Sequence, residues 1–153
     1  MTQIIRALER LFRQRAGNVT IEFGFVILFM ITLALGAYDF GNLGYQKIAI
    51  TSAARAGVQY GAQDQVTAAD AAGMIQAARN DAADIDSALT ITARQYCSCP
   101  GQGEVSCSVI CDDSSYSYMY VEVAAEDQVE LLFPYPYVTS PQTVASTNTM
   151  RVR

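Results

Sequence analysis

The sequence contains neither histidine nor tryptophan. Histidine is the commonest general base and the commonest metal ligand, so its absence removes most hydrolase and zinc-enzyme mechanisms. The Cys-x-x-Cys spacing of redox enzymes is missing as well. Since the remaining residues do not place a nucleophile beside a base, the sequence predicts a non-enzymatic protein without a cofactor or a metal.

Charge is also scarce. Charged residues make up 16% of the 153 residues and apolar residues 51%, whereas soluble domains carry about 25% charged residues. The net charge is −5, which leaves no basic surface for phosphates and argues against a nucleic-acid partner. The length allows one ordinary domain, and the composition indicates that part of the chain avoids water.

The part that avoids water is the apolar run of residues 19–38, whose only charged side chain is Glu22. About 20 apolar residues in a helix match a hydrocarbon core of about 30 Å. The positive-inside rule then predicts that residues 1–17 stay in the cytoplasm and that the chain beyond the run is exported. Those first residues hold one acid, Glu9, and four arginines, Arg6, Arg10, Arg13 and Arg15.

Two other interpretations of this run remain open. A signal peptide cut near residues 34–37, where small residues occur at a suitable spacing, shares the basic start and the apolar stretch, although its apolar region is usually about 7 to 15 residues long. A plain single-pass anchor would have Glu22 at the membrane interface. Near the bilayer centre a carboxylate costs roughly 2.5 to 3.5 kcal/mol, which favours a positive partner for Glu22.

The spacing around Glu22 resembles the processing site of type IV pilin-like precursors. Glu22 is the fifth residue after Gly17. The resemblance implies that a membrane peptidase cuts between Gly17 and Asn18, and that Glu22 then meets the new amino terminus of a neighbouring subunit. An α-amino group is largely protonated at neutral pH, so it could neutralise this carboxylate.

Three segments narrow the resemblance to the TadE-like family: residues 15–23 with the acid–aromatic pair Glu22 and Phe23, residues 36–41 (GAYDFG) and residues 52–61 (SAARAGVQYG). Residues 145–151 are a weaker match to the closing strand of that family. The resemblance implies a minor pilin, or pseudopilin, that is assembled into or initiates a tight-adherence (Flp) type IV pilus used in surface attachment. The implied partners are the inner membrane, prepilin peptidase, and the major and other minor pilin subunits.

The resemblance also implies a division of the chain. Residues 1–17 form a cytoplasmic leader that is removed, residues 18–63 form an N-terminal helix that spans the bacterial inner membrane at about 19–38, and residues 64–153 form a domain in the periplasm or the extracellular pilus. The alternative is an unprocessed, membrane-anchored extracytoplasmic binding or adhesion protein.

Beyond the apolar run, residues 39–63 contain no proline and continue the helical pattern. Ala53, Gly57 and Gly61 recur at every fourth position, which permits close helix packing either within the domain or between subunits. Thr67 and Asp70 fit a capping box and predict a second helix over about 68–83.

Alternating apolar and polar residues predict three strands, near residues 89–94, 118–123 and 143–152. The expected fold is therefore α+β and pilin-like, with a long N-terminal helix, a second helix and a three-stranded antiparallel sheet. The two prolines in residues 133–137 predict an extended loop or edge, either packed on the domain or bound to a partner.

All four cysteines lie in residues 97–111. In an exported segment this predicts two disulfides rather than a zinc site, because the spacing is unusual for zinc and histidine is absent. A turn at about residues 100–106 suggests the nested pairs Cys97 with Cys111 and Cys99 with Cys107. Adjacent acids at 112–113 and 126–127 do not form a calcium loop and indicate a solvated surface.

Overall fold

A computed structural model describes residues 16–85, 89–112 and 115–153. The chain divides into two compact units, the first ending at Phe40 and the second running from Gly41 to Arg153. The expected leader, residues 1–17, lies almost wholly outside the described residues.

Helix α1 runs from Ala16 to Gly61 and is the first element of the described residues. Its part up to Phe40 is the whole of the described first unit. No proline interrupts this segment, and each backbone group of a helix is paired inside the segment itself, as a membrane requires. The predicted long N-terminal apolar helix is confirmed.

In the second unit two short helices follow α1: α2 over Gln65–Ala69 and α3 over Ala71–Asp81. The second helix predicted over about 68–83 is present as α3, but it begins at Ala71 rather than near residue 68. Asp70 separates the two helices with φ −90° and ψ 75°, outside the helical region, and its carboxylate accepts a hydrogen bond from the Gly73 N–H at 2.9 Å. Asp70 therefore caps α3 instead of closing a capping box begun by Thr67.

The capping box belongs to α2 and begins at Asp64. The Asp64 carboxylate accepts hydrogen bonds from the backbone N–H groups of Val66 and Thr67, each at 2.8 Å. The Thr67 hydroxyl in turn accepts a hydrogen bond from the Asp64 N–H at 3.1 Å. In this box the acid Asp64 is the N-cap and the hydroxyl residue Thr67 is the third helical residue. The sequence pattern assumes the opposite, with the hydroxyl residue as the N-cap and the acid three residues later.

The sheet contains four strands in the order β2-β1-β3-β4, and every neighbouring pair is antiparallel. The strands are β1 over Thr90–Ser98, β2 over Glu104–Val105, β3 over Tyr118–Val129 and β4 over Gln142–Arg151. The three predicted strands are β1, β3 and β4, so the antiparallel α+β fold is confirmed but the count of three is wrong.

The additional strand, β2, depends on a tight turn after β1. Gly101 has φ +75°, which glycine adopts without strain, and the Gln102 N–H donates to the Cys99 carbonyl at 3.1 Å. The chain then folds back so that Val105 lies opposite Cys97. A strand of two residues is too short to show alternation in the sequence.

The hydrophobic core lies between the helices and one face of the sheet. Along β3, Val121, Val123 and Ala125 are buried on the helical side, while the intervening residues face the other way. The fully buried Ile50 and Met74 come from α1 and α3. Each such side chain contributes about 1.5 to 3 kcal/mol of hydrophobic stabilisation, so the core fastens α1 to the sheet.

The small residues of α1 belong to this core. A Cβ atom on Gly57 would lie 3.0 Å from the backbone oxygen of Met74 and 3.1 Å from both methyl groups of Val123. A Cβ atom on Gly61 would meet the Met74 sulfur, and Ala53 is fully buried. Of the two interpretations left open by the sequence, packing within the domain is the one observed.

In the second unit α1 and β4 run side by side in the same direction. Three hydrogen bonds establish this, joining Lys47 to Ala145, Thr51 to Ser146 and Ala62 to Arg153. We call the end of the unit that holds Gly41 and Gln142 the entry end, and the end that holds Gly61 and Arg151 the far end. Since β3 pairs Tyr120 with Arg151, the segment between β1 and β3 lies at the far end.

Candidate assembly site

The described part of the first unit is an apolar helix whose large side chains are exposed. Among the residues described, one helix is long and apolar enough to cross a membrane, and none of its most apolar window is buried. Phe23 and Phe25 are 62% and 71% exposed. Such a surface is stable against lipid or other helices, which indicates a single-pass membrane anchor.

Glu22 lies on this exposed helix beside Phe23. Within the part of the chain that the structure describes, Glu22 forms no salt bridge. Gly17 and Asn18 lie in the first turn of α1. The structure thus places the four predicted processing and assembly residues on one helical segment, and their roles stay predictions.

The far end of the second unit carries two disulfides, Cys97–Cys107 with Cα atoms 5.0 Å apart and Cys99–Cys111 with Cα atoms 5.6 Å apart. Two disulfides were predicted and are present. The nested pairing is wrong, because neither Cys97 with Cys111 nor Cys99 with Cys107 is joined.

The register of the β1–β2 hairpin explains the observed pairing. Cys97 lies opposite Val105, so Cys107, two residues further on, is the first cysteine to reach it. The chain then reverses at a turn in which the Val109 N–H donates to the Ser106 carbonyl at 3.0 Å. This second turn returns Cys111 to Cys99. We call residues 97–117 the disulfide lobe.

A charged and aromatic cluster lies on the sheet face opposite the core, and sequence patterns did not indicate it. The Arg94 guanidinium forms 2.7 Å salt bridges with Glu122 and Glu104 and lies 5.0 Å from the Tyr96 ring centroid. Hydrogen bonds from Arg94 to Glu122 and then to Glu104 raise its pKa above the ordinary value. The three charged residues come from three strands, so only the sheet register brings them together.

The disulfide lobe exposes apolar side chains beside a cation. Ile110 and Tyr116 are 62% and 76% exposed, and the Arg151 guanidinium lies 3.8 Å from the Tyr118 ring centroid. No group of three or more histidine, cysteine or acidic residues suited to a metal ion occurs within 16–85, 89–112 and 115–153.

Comparison with known proteins identifies the N-terminal part of the chain. Residues 17–59 match the family model described as TadE-like protein. Neither a curated protein nor a solved structure matches the chain significantly. The matched residues include Gly17, Glu22 and Gly57, whereas Gly61 lies beyond the match. The segment that runs from the apolar helix into the second unit is therefore TadE-like, as its motifs predict.

Proposed function

We propose that this chain is a structural minor pilin of the tight-adherence pilus system, inserted in the bacterial inner membrane and assembled into, or used to initiate, the fibre. A TadE-like segment indicates involvement in that system, and the family is structural rather than enzymatic. The observation that carries the proposal is the TadE-like helix itself, with an exposed apolar surface and Glu22 five residues after Gly17.

Removal of residues 1–17 would change this helix in two ways. It takes away four arginines and one glutamate, so the positive charge on the cytoplasmic side of the helix is lost. It also creates an amino group at Asn18 that Glu22 of a neighbouring subunit can neutralise within a low-dielectric helix bundle. Gly24 has open space around its Cα, so another helix can approach closely there.

The second unit fits an exported domain with an N-in, C-out orientation. Disulfides persist in oxidising compartments such as the periplasm, and this unit holds two. Its helix-on-sheet arrangement would keep the disulfide lobe at the end of the unit opposite the entry of the chain. We infer that this lobe meets other pilus subunits or the attachment target.

Intact-mass measurement of the membrane-purified protein, made with and without prepilin peptidase in the cells, tests the proposal. With the peptidase the mass should correspond to a chain that begins at Asn18. Gly17→Leu should block the cut, whereas the matched change Gly24→Leu, at another glycine of the same helix, should leave it intact.

Two results would contradict the proposal. A full-length mass in the presence of the peptidase would favour the unprocessed anchored binding protein. A chain that begins near Tyr38 would instead identify residues 1–37 as a signal peptide.

A further inference from the structure

The loop between β3 and β4, residues 130–141, exposes large apolar side chains, and we call it the aromatic loop. Leu132 is 67% exposed, Phe133 43%, Tyr137 fully exposed and Val138 37%. From residue 131 to residue 141 no side chain is charged. A soluble surface would rarely keep such a sequence in contact with water alone.

We propose that the aromatic loop inserts into the headgroup region of the membrane that holds α1. The proposal rests on the membrane anchoring in the proposed function and adds a second contact between the chain and lipid. Tyrosine and tryptophan rings concentrate at the membrane–water interface because one end of each side chain is apolar and the other carries a polar O–H or N–H group.

The position of the aromatic loop in the fold favours the membrane as the surface that it contacts. The loop precedes Gln142, the first residue of β4, and therefore lies at the entry end. Lys47 donates a hydrogen bond to Ala145, three residues into that strand. Because Lys47 follows Tyr38 by nine residues, the chain holds it within about 30 Å of the end of the apolar run even if fully extended.

Direction strengthens this placement. Strand residues advance about 3.3 Å each, so Gln142 lies roughly 10 Å before Ala145. Since β4 and α1 run in the same direction, this distance carries the loop past Lys47 toward Gly41, the first residue of the second unit. The loop is thus on the side of the unit from which the chain arrives.

The loop backbone suits a partly dehydrated environment. Residues 134, 136 and 141 are prolines and carry no N–H group that insertion would strip of water. The Leu131 N–H donates to the Ser140 hydroxyl at 3.2 Å, and the Val138 N–H donates to the Tyr135 carbonyl at 3.3 Å. These internal hydrogen bonds lower the cost of moving the backbone into the interface.

A tryptophan reporter can test the contact, because the natural chain has no tryptophan. Tyr137→Trp places the reporter in the aromatic loop, and Tyr116→Trp is the matched control on an exposed tyrosine of the disulfide lobe. The full chain is reconstituted in vesicles of phosphatidylethanolamine and phosphatidylglycerol that contain lipids spin-labelled near the headgroup. The Tyr137→Trp emission should shift to shorter wavelength and be strongly quenched, while the Tyr116→Trp emission should change little.

Leu132→Ser in the Tyr137→Trp chain should weaken the quenching without unfolding the domain, because Leu132 is exposed. Equal quenching of the two reporters, or of neither, would overturn the proposal. A wavelength shift that follows protein concentration without lipid quenching would show that another copy of the chain covers the loop, and would also overturn it.

Flotation of the same vesicles separates the two proposals. A chain that floats with lipid while Tyr137→Trp remains unquenched refutes the loop contact alone. A chain that does not float overturns the membrane anchor and the loop contact together.

Discussion

Gly57 lies where α1 passes over both α3 and the sheet, so replacing it by alanine tests whether the small residues of this helix pack within the domain or are available for a contact between subunits. The added Cβ would lie 3.0 Å from the Met74 backbone oxygen and 3.1 Å from the methyl groups of Val123. Met74 and Val123 are fully buried, so neither can withdraw without disturbing the core.

Gly44 provides the matched comparison, because it lies in the same helix and a Cβ atom there would have no neighbour within 4 Å. Alanine at either position raises helix propensity by about 0.5 to 1 kcal/mol. This gain cancels when the two variants are compared. What remains is the overpacking at Gly57, about 1 to 3 kcal/mol.

Urea unfolding of the full chain in mild detergent, followed by near-ultraviolet circular dichroism, measures the difference. Gly44→Ala should raise the midpoint, and Gly57→Ala should unfold at a urea concentration roughly 1 M below it, given slopes of about 1 to 3 kcal/mol per molar. Identical midpoints would show that Gly57 does not pack against Met74 and Val123. The small residues Ala53, Gly57 and Gly61 would then be free to form a contact between subunits.

Three further predictions concern assembly, pairing and acid stability. Glu22→Gln and Glu22→Ala should reach the membrane as well as the natural chain does, but both should enter pili poorly when sheared pilus fractions are measured. Normal incorporation of both variants would show that Glu22 has no role in assembly. Partial reduction with stepwise alkylation should show the pairs Cys97–Cys107 and Cys99–Cys111. Any other pairing would refute the fold of the lobe. The Gly73 N–H and then the Tyr60 hydroxyl lower the pKa of Asp70 below 3.8, so this cap is fully stabilising above that value and is lost as the pH falls through the lowered pKa. Acid titration of unfolding should show a smaller decline in Asp70→Asn, which still caps but does not titrate, and an unchanged decline would exclude Asp70.

Local sequence patterns were sufficient to predict those elements whose structure depends on a single segment of the chain. Apart from Glu22, residues 19–38 carry no charge, and their length and composition predict a helix with an exposed apolar surface. Alternation located β1, β3 and β4 because a strand with one buried face repeats every two residues. Each TadE-like motif of the N-terminal part is likewise a contiguous segment, and the match to residues 17–59 confirms the resemblance there, whereas residues 145–151 lie outside it.

Capping was predicted in the right region but on the wrong residues. Asp64, Thr67 and Asp70 are spaced by three, so more than one pairing of cap and third residue fits the sequence. The backbone of Asp70 decides between them, since it leaves the helical region and ends α2. That conformation depends in part on Tyr60, whose hydroxyl donates to the Asp70 carboxylate at 2.9 Å from a different helix.

Only tertiary structure decided which distant groups meet. The four cysteines predicted two disulfides, but the pairing follows from a hairpin register that places Val105 opposite Cys97, and β2 is too short to be visible in the sequence. The contact of Gly57 with Met74 and Val123 likewise depends on how α3 and β3 pack against α1. Composition and periodicity act along the chain, whereas pairing and packing depend on which segments the folded core brings within contact distance.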